Sequence, residues 1–169
     1  MTHWFIDGTP ARAEEIRPLF AGVPFALADL PAGFAASAPE PEPRARDKLL
    51  ADQRPGFAEA VDLTTMDGRS LRLELDSENE NRFCRHWRET PVRLHLCVAY
   101  RRAAGGPIGV ITATCDGNIA AKPAGSARGW DRLFIPAGHR ASLASLTDQG
   151  QSVGPVTAAY RELASILIQ

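Results

Sequence analysis

The sequence predicts an α/β protein whose mixed β-sheet carries helices on its flanks. Three features say so. A strand–helix–strand unit opens the chain. Apolar residues alternating at Val92, Leu94, Leu96, Val98 and Tyr100 then turn back into a second long strand, and an apolar stripe at helical spacing closes the sequence. Both periods, two and 3.6, are therefore present, and a strand–helix–strand unit is ordinarily parallel with a right-handed crossover.

In chain order, His3–Ile6 reads as the first strand and Asp7-Gly8-Thr9-Pro10 as the turn into a helix. Thr9 suits the N-cap and Pro10 the first helical position; Glu14 and Glu15 follow, and Ile16, Leu19 and Phe20 form the buried stripe. The next strand spans 23–30, and Pro31, Pro39, Pro41 and Pro43 make 31–43 a loop. A helix resumes over 44–53 and a strand over 56–63. Asp67-Gly68 marks a turn, after which Leu71, Leu73 and Leu75 alternate with Arg72 and Glu74 as a strand with one wet face. Ser77 is placed to cap a helix over 78–88, where Phe83 and Trp87 share a face. The strand over 92–100 turns at Ala103-Ala104-Gly105-Gly106 into another over 108–115, and Asp116-Gly117 predicts one more turn. Loop chemistry fills 122–128 and a short apolar piece 129–136. The last helix, over 153–168, carries Val156, Tyr160, Leu163 and Leu167 on its stripe.

With 169 residues, 44% of them hydrophobic and 23% charged, the chain is read as one domain, 1–169, with a substantial core. A formal net charge of −1 excludes a general electrostatic grip on nucleic acid, although 17 of the 19 basic residues are Arg, which suits bidentate binding of phosphate or carboxylate. Cys84, Cys97 and Cys115 form no Cys-x-x-Cys pair and fit no zinc spacing, so they read as reduced thiols of a cytoplasmic protein. No signal peptide and no membrane-length apolar run is expected.

Several groups of residues carry chemistry. Asp7-Gly8-Thr9-Pro10, at a strand end and helix start, is a natural anion site with Arg12 within reach, though it lacks the glycine pattern of a P-loop or a dinucleotide fingerprint. Glu40, Glu42, Glu59 and Asp62 offer hard oxygen ligands, and Glu59 and Asp62 stand out because an idle charge within the apolar run 57–63 is costly. Trp130-Asp131 pairs an indole that can stack with a carboxylate that can hydrogen-bond a base edge. His3, His86, His95 and His139 show no metal spacing, and no Ser or Cys lies in a nucleophile elbow.

From Asp116 onward the motifs fall into a recognisable order. Gly117-Asn118-Ile119-Ala120, Pro123-Ala124-Gly125, Gly129-Trp130-Asp131-Arg132-Leu133-Phe134-Ile135-Pro136-Ala137-Gly138 and Ser142-Leu143-Ala144-Ser145-Leu146 resemble the inosine triphosphate pyrophosphatase family, which hydrolyses non-canonical purine nucleoside triphosphates. Asp7-Gly8-Thr9-Pro10-Ala11-Arg12 occupies the place of that family's phosphate loop, Lys48 that of its second-helix Lys, and Phe57-Ala58-Glu59-Ala60-Val61-Asp62 that of its acidic strand. The resemblance implies an elongated α/β fold in two lobes around a central cleft, a homodimer, and magnesium or manganese. The implied reaction releases pyrophosphate and leaves a nucleoside monophosphate.

On that resemblance Thr9, Arg12 and Lys48 hold phosphates, Glu42, Glu59 and Asp62 hold the metal, and Glu59, Asp62 and Lys48 are catalytic. Arg128, Trp130 and Asp131 face the base or whatever replaces it. The sequence also departs from the family: Ala60 stands at its catalytic Asp, Arg128 at its stacking Phe, Gln151 at a phosphate-contacting Lys, and Pro155-Val156-Thr157 at its Ser-His-Arg base reader. The expectation is a divergent nucleotide pyrophosphatase. A catalytically silent nucleotide-binding or dimerisation module, or an enzyme of specialised metabolism acting on an unusual nucleotide, are the alternatives.

Overall fold

The computed structural model describes residues 1–35, 38–72, 75, 79–126, 129–151 and 153–169; Leu73, Glu74, Ser77 and Arg128 lie outside the described residues. The strands are β1 (His3–Ile6), β2 (Phe25–Ala28), β3 (Gly56–Thr65), β4 (Pro91–Arg101), β5 (Ile108–Ile119) and β6 (Phe134–Pro136). The helices are α1 (Pro10–Ile16), α2 (Pro41–Ala51), α3 (Glu80–Trp87), α4 (Leu143–Asp148) and α5 (Pro155–Ile168), with 3-10 turns at Arg17–Phe20 and Gly129–Arg132. One six-stranded sheet runs in the order β2-β1-β3-β4-β5-β6. It is mixed: β1 pairs in parallel with β2 (Phe5 opposite Leu27) and β3 (Phe5 opposite Phe57), whereas β5 and β6 are antiparallel. The expected α/β class and parallel opening are thus present.

The steps from β1 to β2 and from β2 to β3 go in opposite directions across the sheet, so right-handed crossovers place α1 and α2 on opposite faces. The side chains agree. Phe5 stacks on Phe57 at 4.7 Å between ring centres, and Phe20, Phe25 and Tyr160 complete an aromatic layer on that face. On the other face small residues let α2 approach closely: Ala45 and Leu49 pack with Ile6, Ala58, Ala60, Cys97 and Ala99. Strand alternation produces the division, Phe57 and Glu59 going one way and Ala58 and Ala60 the other.

Contacts group the chain into two compact units. The first comprises Met1–Ala60, Leu96–Ala113 and Val156–Gln169, and holds both layers just described. The second comprises Val61–His95 and Thr114–Pro155. In the second, Asn79 caps α3 by accepting from the Arg82 N–H at 2.8 Å, and Ser142 caps α4 by accepting from Ser145 N–H. The Ser142 hydroxyl also donates to the Ala124 carbonyl at 2.7 Å, tying α4 to the loop before the Gly129–Arg132 turn.

Several expectations are corrected. The strand at 23–30 shortens to β2, and the helix at 44–53 begins earlier, at Pro41, because proline costs nothing at a first helical position. Arg72 and Leu75 are helical, not strand: Leu75 N–H donates to the Leu71 carbonyl at 3.1 Å. Asn79, not Ser77, caps α3. Asp116-Gly117 makes no turn, and β5 runs through it to Ile119. A Cβ on Gly117 would lie 2.2 Å from the Ile135 carbonyl oxygen, so this glycine serves the close approach of β6 and not a chain reversal.

Candidate functional site

In the first unit the loop leaving β1 gathers charged groups. Ligands of open α/β sheets meet the carboxyl ends of parallel strands, and β1 ends at Ile6 while its neighbour β3 continues through Glu59. Asp7 takes a left-handed conformation (φ 57), which Asp tolerates, and its N–H donates to the Ala28 carbonyl at 2.7 Å. Gly8 lies against the Phe5 ring, where an added Cβ would fall 2.4 Å from a ring carbon. Thr9 then caps α1, its hydroxyl oxygen accepting from Arg12 N–H at 3.2 Å.

Two cations converge here from the two faces of the sheet. Arg12, on α1, donates through Nε to both oxygens of Glu59 at 3.0 and 3.1 Å, and its Nη1 is paired with Glu15. Lys48, on α2, donates to the Glu59 carbonyl at 2.9 Å and pairs with Asp7 at 2.8 Å. Tyr160, on α5, donates its hydroxyl to Glu59 Oε2 at 2.6 Å. Burial first, then the neighbouring Glu59 charge, holds the Tyr160 phenol well above its ordinary pKa, so it stays a donor. Arg12, Glu15, Glu59 and Lys48 are mostly buried, whereas Asp7 is half exposed.

Thr9, Arg12, Lys48 and Glu59 are therefore neighbours, and Asp7, Glu15 and Tyr160 join them. Helical periodicity places Tyr160 only on an apolar stripe; the signal for its role is that a buried phenol needs a partner for its hydroxyl. Glu42 stands apart, half exposed on α2 and paired with Arg46 at 3.0 Å. Ala60 is sealed in the small-residue layer.

The remaining candidates lie in the second unit. Asp62 is buried, and its Oδ1 accepts from Leu63 N–H and from the Ser70 hydroxyl, both at 2.9 Å. Its charge in an apolar run is thus answered locally. Trp130 and Asp131 form the Gly129–Arg132 turn, which opens on a left-handed Gly129 (φ 76). The Trp130 indole meets Phe83 edge-on at 5.8 Å, Asp131 is buried, and Arg132 reaches Glu80 at 2.8 Å.

The carboxylates offered for magnesium do not fit a shared ion as they stand. Glu42 is paired with Arg46, Glu59 with Arg12 and Tyr160, and Asp62 with Ser70 and the backbone. Among the described residues no group of three or more His, Cys, Asp or Glu is placed to hold a metal. No described helix is long and apolar enough to cross a membrane.

Comparison with known proteins adds sequence and fold. The profile of the Ham1 family matches residues 68–164, more than half of the chain. Among curated proteins, none matches significantly. A HAM1 protein from Coxiella burnetii superposes with a TM-score of 0.69 at 15% identity, covering 99% of each chain. The Ham1 protein of Staphylococcus aureus gives 0.64 at 14% identity over 98% of each. A nucleoside-triphosphatase (dITP/XTP pyrophosphatase) from Mycobacterium abscessus gives 0.51 at 21% identity over the whole of both chains. At these identities the structural likenesses establish the fold.

Proposed function

This chain belongs to the Ham1 family, and from that membership we propose that it is a nucleotide pyrophosphatase, cleaving a nucleoside triphosphate or related nucleotide to the monophosphate and pyrophosphate. The observation that carries the reading is the convergence of Arg12 and Lys48 on the end of β1, inside a fold shared with a dITP/XTP pyrophosphatase. In this reading Lys48 exchanges Asp7 for phosphate oxygens when the nucleotide arrives, while Arg12 keeps its place on Glu59 and acts as a fixed charge beside them. Water then attacks the α-phosphorus, the bond to the bridging oxygen of the β-phosphate breaks, and pyrophosphate leaves with the electron pair. Arg12 and Lys48 offset the charge that develops on the phosphoryl oxygens, the term that usually dominates such catalysis. With Ala60 and Pro155-Val156-Thr157 in place of the family's catalytic Asp and base reader, the substrate is expected to differ from inosine triphosphate. A cytoplasmic homodimer belongs to the same reading.

A second reading, a silent nucleotide-binding module, draws on the burial of Ala60 and the local pairing of Asp62. One assay separates the two. Pyrophosphate release is measured over a panel of nucleotides, with and without magnesium or manganese, beside nucleotide-induced thermal shift. Turnover lost in Lys48→Ala supports the enzyme; a thermal shift with no turnover supports the module.

A further inference from the structure

We propose that in this protein Arg12, and not a divalent ion, is the resident positive charge on Glu59, with Tyr160 and Glu15 as the positioning residues that keep it there. The proposal rests on the pyrophosphatase reading only in that the reading leads one to expect a metal at this carboxylate.

A carboxylate offers about four lone-pair sites on two oxygens. At Glu59 Arg12 Nε reaches both oxygens, at 3.0 and 3.1 Å, and the Tyr160 hydroxyl takes a further site on Oε2 at 2.6 Å. Magnesium would need to sit about 2 Å from one of these oxygens in a near-octahedral shell. There it would lie against a guanidinium that does not give up its proton in proteins.

Arg12 has little freedom to withdraw. Its Nη1 is paired with Glu15, and its side chain is only 9% exposed. Tyr160 is just as constrained, its ring packed against Phe5, Phe20 and Phe57 in the aromatic layer. On the other side Lys48 occupies the Glu59 carbonyl and Asp7 together. Among the described residues no group of three or more His, Cys, Asp or Glu is placed to complete a set, and Glu42 is turned to Arg46. A positive charge fixed by covalent structure thus stands where a bound cation would otherwise neutralise Glu59.

The test uses ligand-free protein and Mn2+ alone, followed by the loss of the free-ion electron paramagnetic resonance signal. Wild type is expected to take up no Mn2+ at a saturable site. Arg12→Gln, which uncovers Glu59 while keeping polarity and approximate size, is expected to gain affinity by roughly tenfold or more, because a cation beside the carboxylate has been removed. Arg12→Lys keeps the charge and should show no gain, and Arg12→Gln/Glu59→Gln should lose the gain. Saturable Mn2+ binding by wild type that disappears in Glu59→Gln overturns the proposal, as does a folded Arg12→Gln that gains nothing. Should Arg12→Gln not fold, Tyr160→Phe/Glu15→Gln loosens the same guanidinium and is expected to gain Mn2+ affinity; no gain there counts against the proposal. Because no nucleotide is present, this outcome is separate from that of the pyrophosphate-release assay.

Discussion

Tyr160 sits in an aromatic layer with its hydroxyl donating to Glu59, and burial together with that carboxylate raises its pKa. A folded group that holds its proton more tightly than the unfolded one contributes stability that is complete below the unfolded pKa, near 10 for Tyr, and is lost as pH rises toward the folded value. Cys84 and Cys97, each pushed up to about 11 by burial, add a loss of the same sign that begins nearer the ordinary thiol value of 9.0. Urea midpoints across the alkaline range are therefore expected to fall, and Tyr160→Phe should flatten the upper part of that fall while leaving the thiol part. An unchanged profile would contradict the role given to the phenol. Asp62 makes a second case: Asp62→Ala strands the Ser70 hydroxyl and the Leu63 N–H, and a loss of about 1–3 kcal/mol in chemical denaturation is expected. Thr9 and Arg12 follow from strand-end chemistry and Glu59 from a charge set in an apolar run, whereas Lys48 follows only from the family resemblance. Tyr160 follows from none of these, because helical periodicity registers its ring and not its hydroxyl. Asp62 was legible as a charge needing a partner, but which partner depends on how the chain returns to Ser70.

Among the elements, those with local signals were the most legible. Thr9 and Pro10 define the start of α1 through backbone donors and a fixed φ, and alternation of apolar residues marks β4 without help from its neighbours. Elements decided by tertiary contact were misread. Leucines 71, 73 and 75 alternate as a strand would, yet Leu71 and Leu75 are joined by a helical hydrogen bond. Asp116-Gly117 has turn chemistry, but the glycine is required by the close passage of β6, a fact only the folded sheet contains. Gly117→Ala is expected to cost about 1–3 kcal/mol by forcing β6 away, measured by thermal or urea denaturation. Asn79→Ala removes the α3 cap and should cost about 1 kcal/mol. A Gly117→Ala protein of undiminished stability would mean that the β5–β6 approach is looser than described.

For the whole molecule, the fold was readable because several short motifs recur in family order, and the Ham1 profile covers that same stretch. The site was readable in part. The residues proposed to hold phosphate gather in the first unit, but the proposed metal ligands are individually satisfied, and pairings such as Arg12 with Glu59 join residues 47 apart in sequence. Such long-range pairings leave no periodic trace in a single chain. The family also fixes chemistry more loosely than fold, since function resides in particular side chains. The most direct test is to quantify pyrophosphate and nucleoside monophosphate released from a panel of canonical and modified nucleoside triphosphates by wild type and by Lys48→Ala. A nucleotide pyrophosphatase working through Lys48 is expected to release equal amounts of both products from at least one triphosphate, with the rate falling by roughly 10²-fold or more in the variant, the usual cost of removing an electrostatic stabiliser. Release of neither product from any triphosphate, or a rate indifferent to Lys48, would contradict that reading.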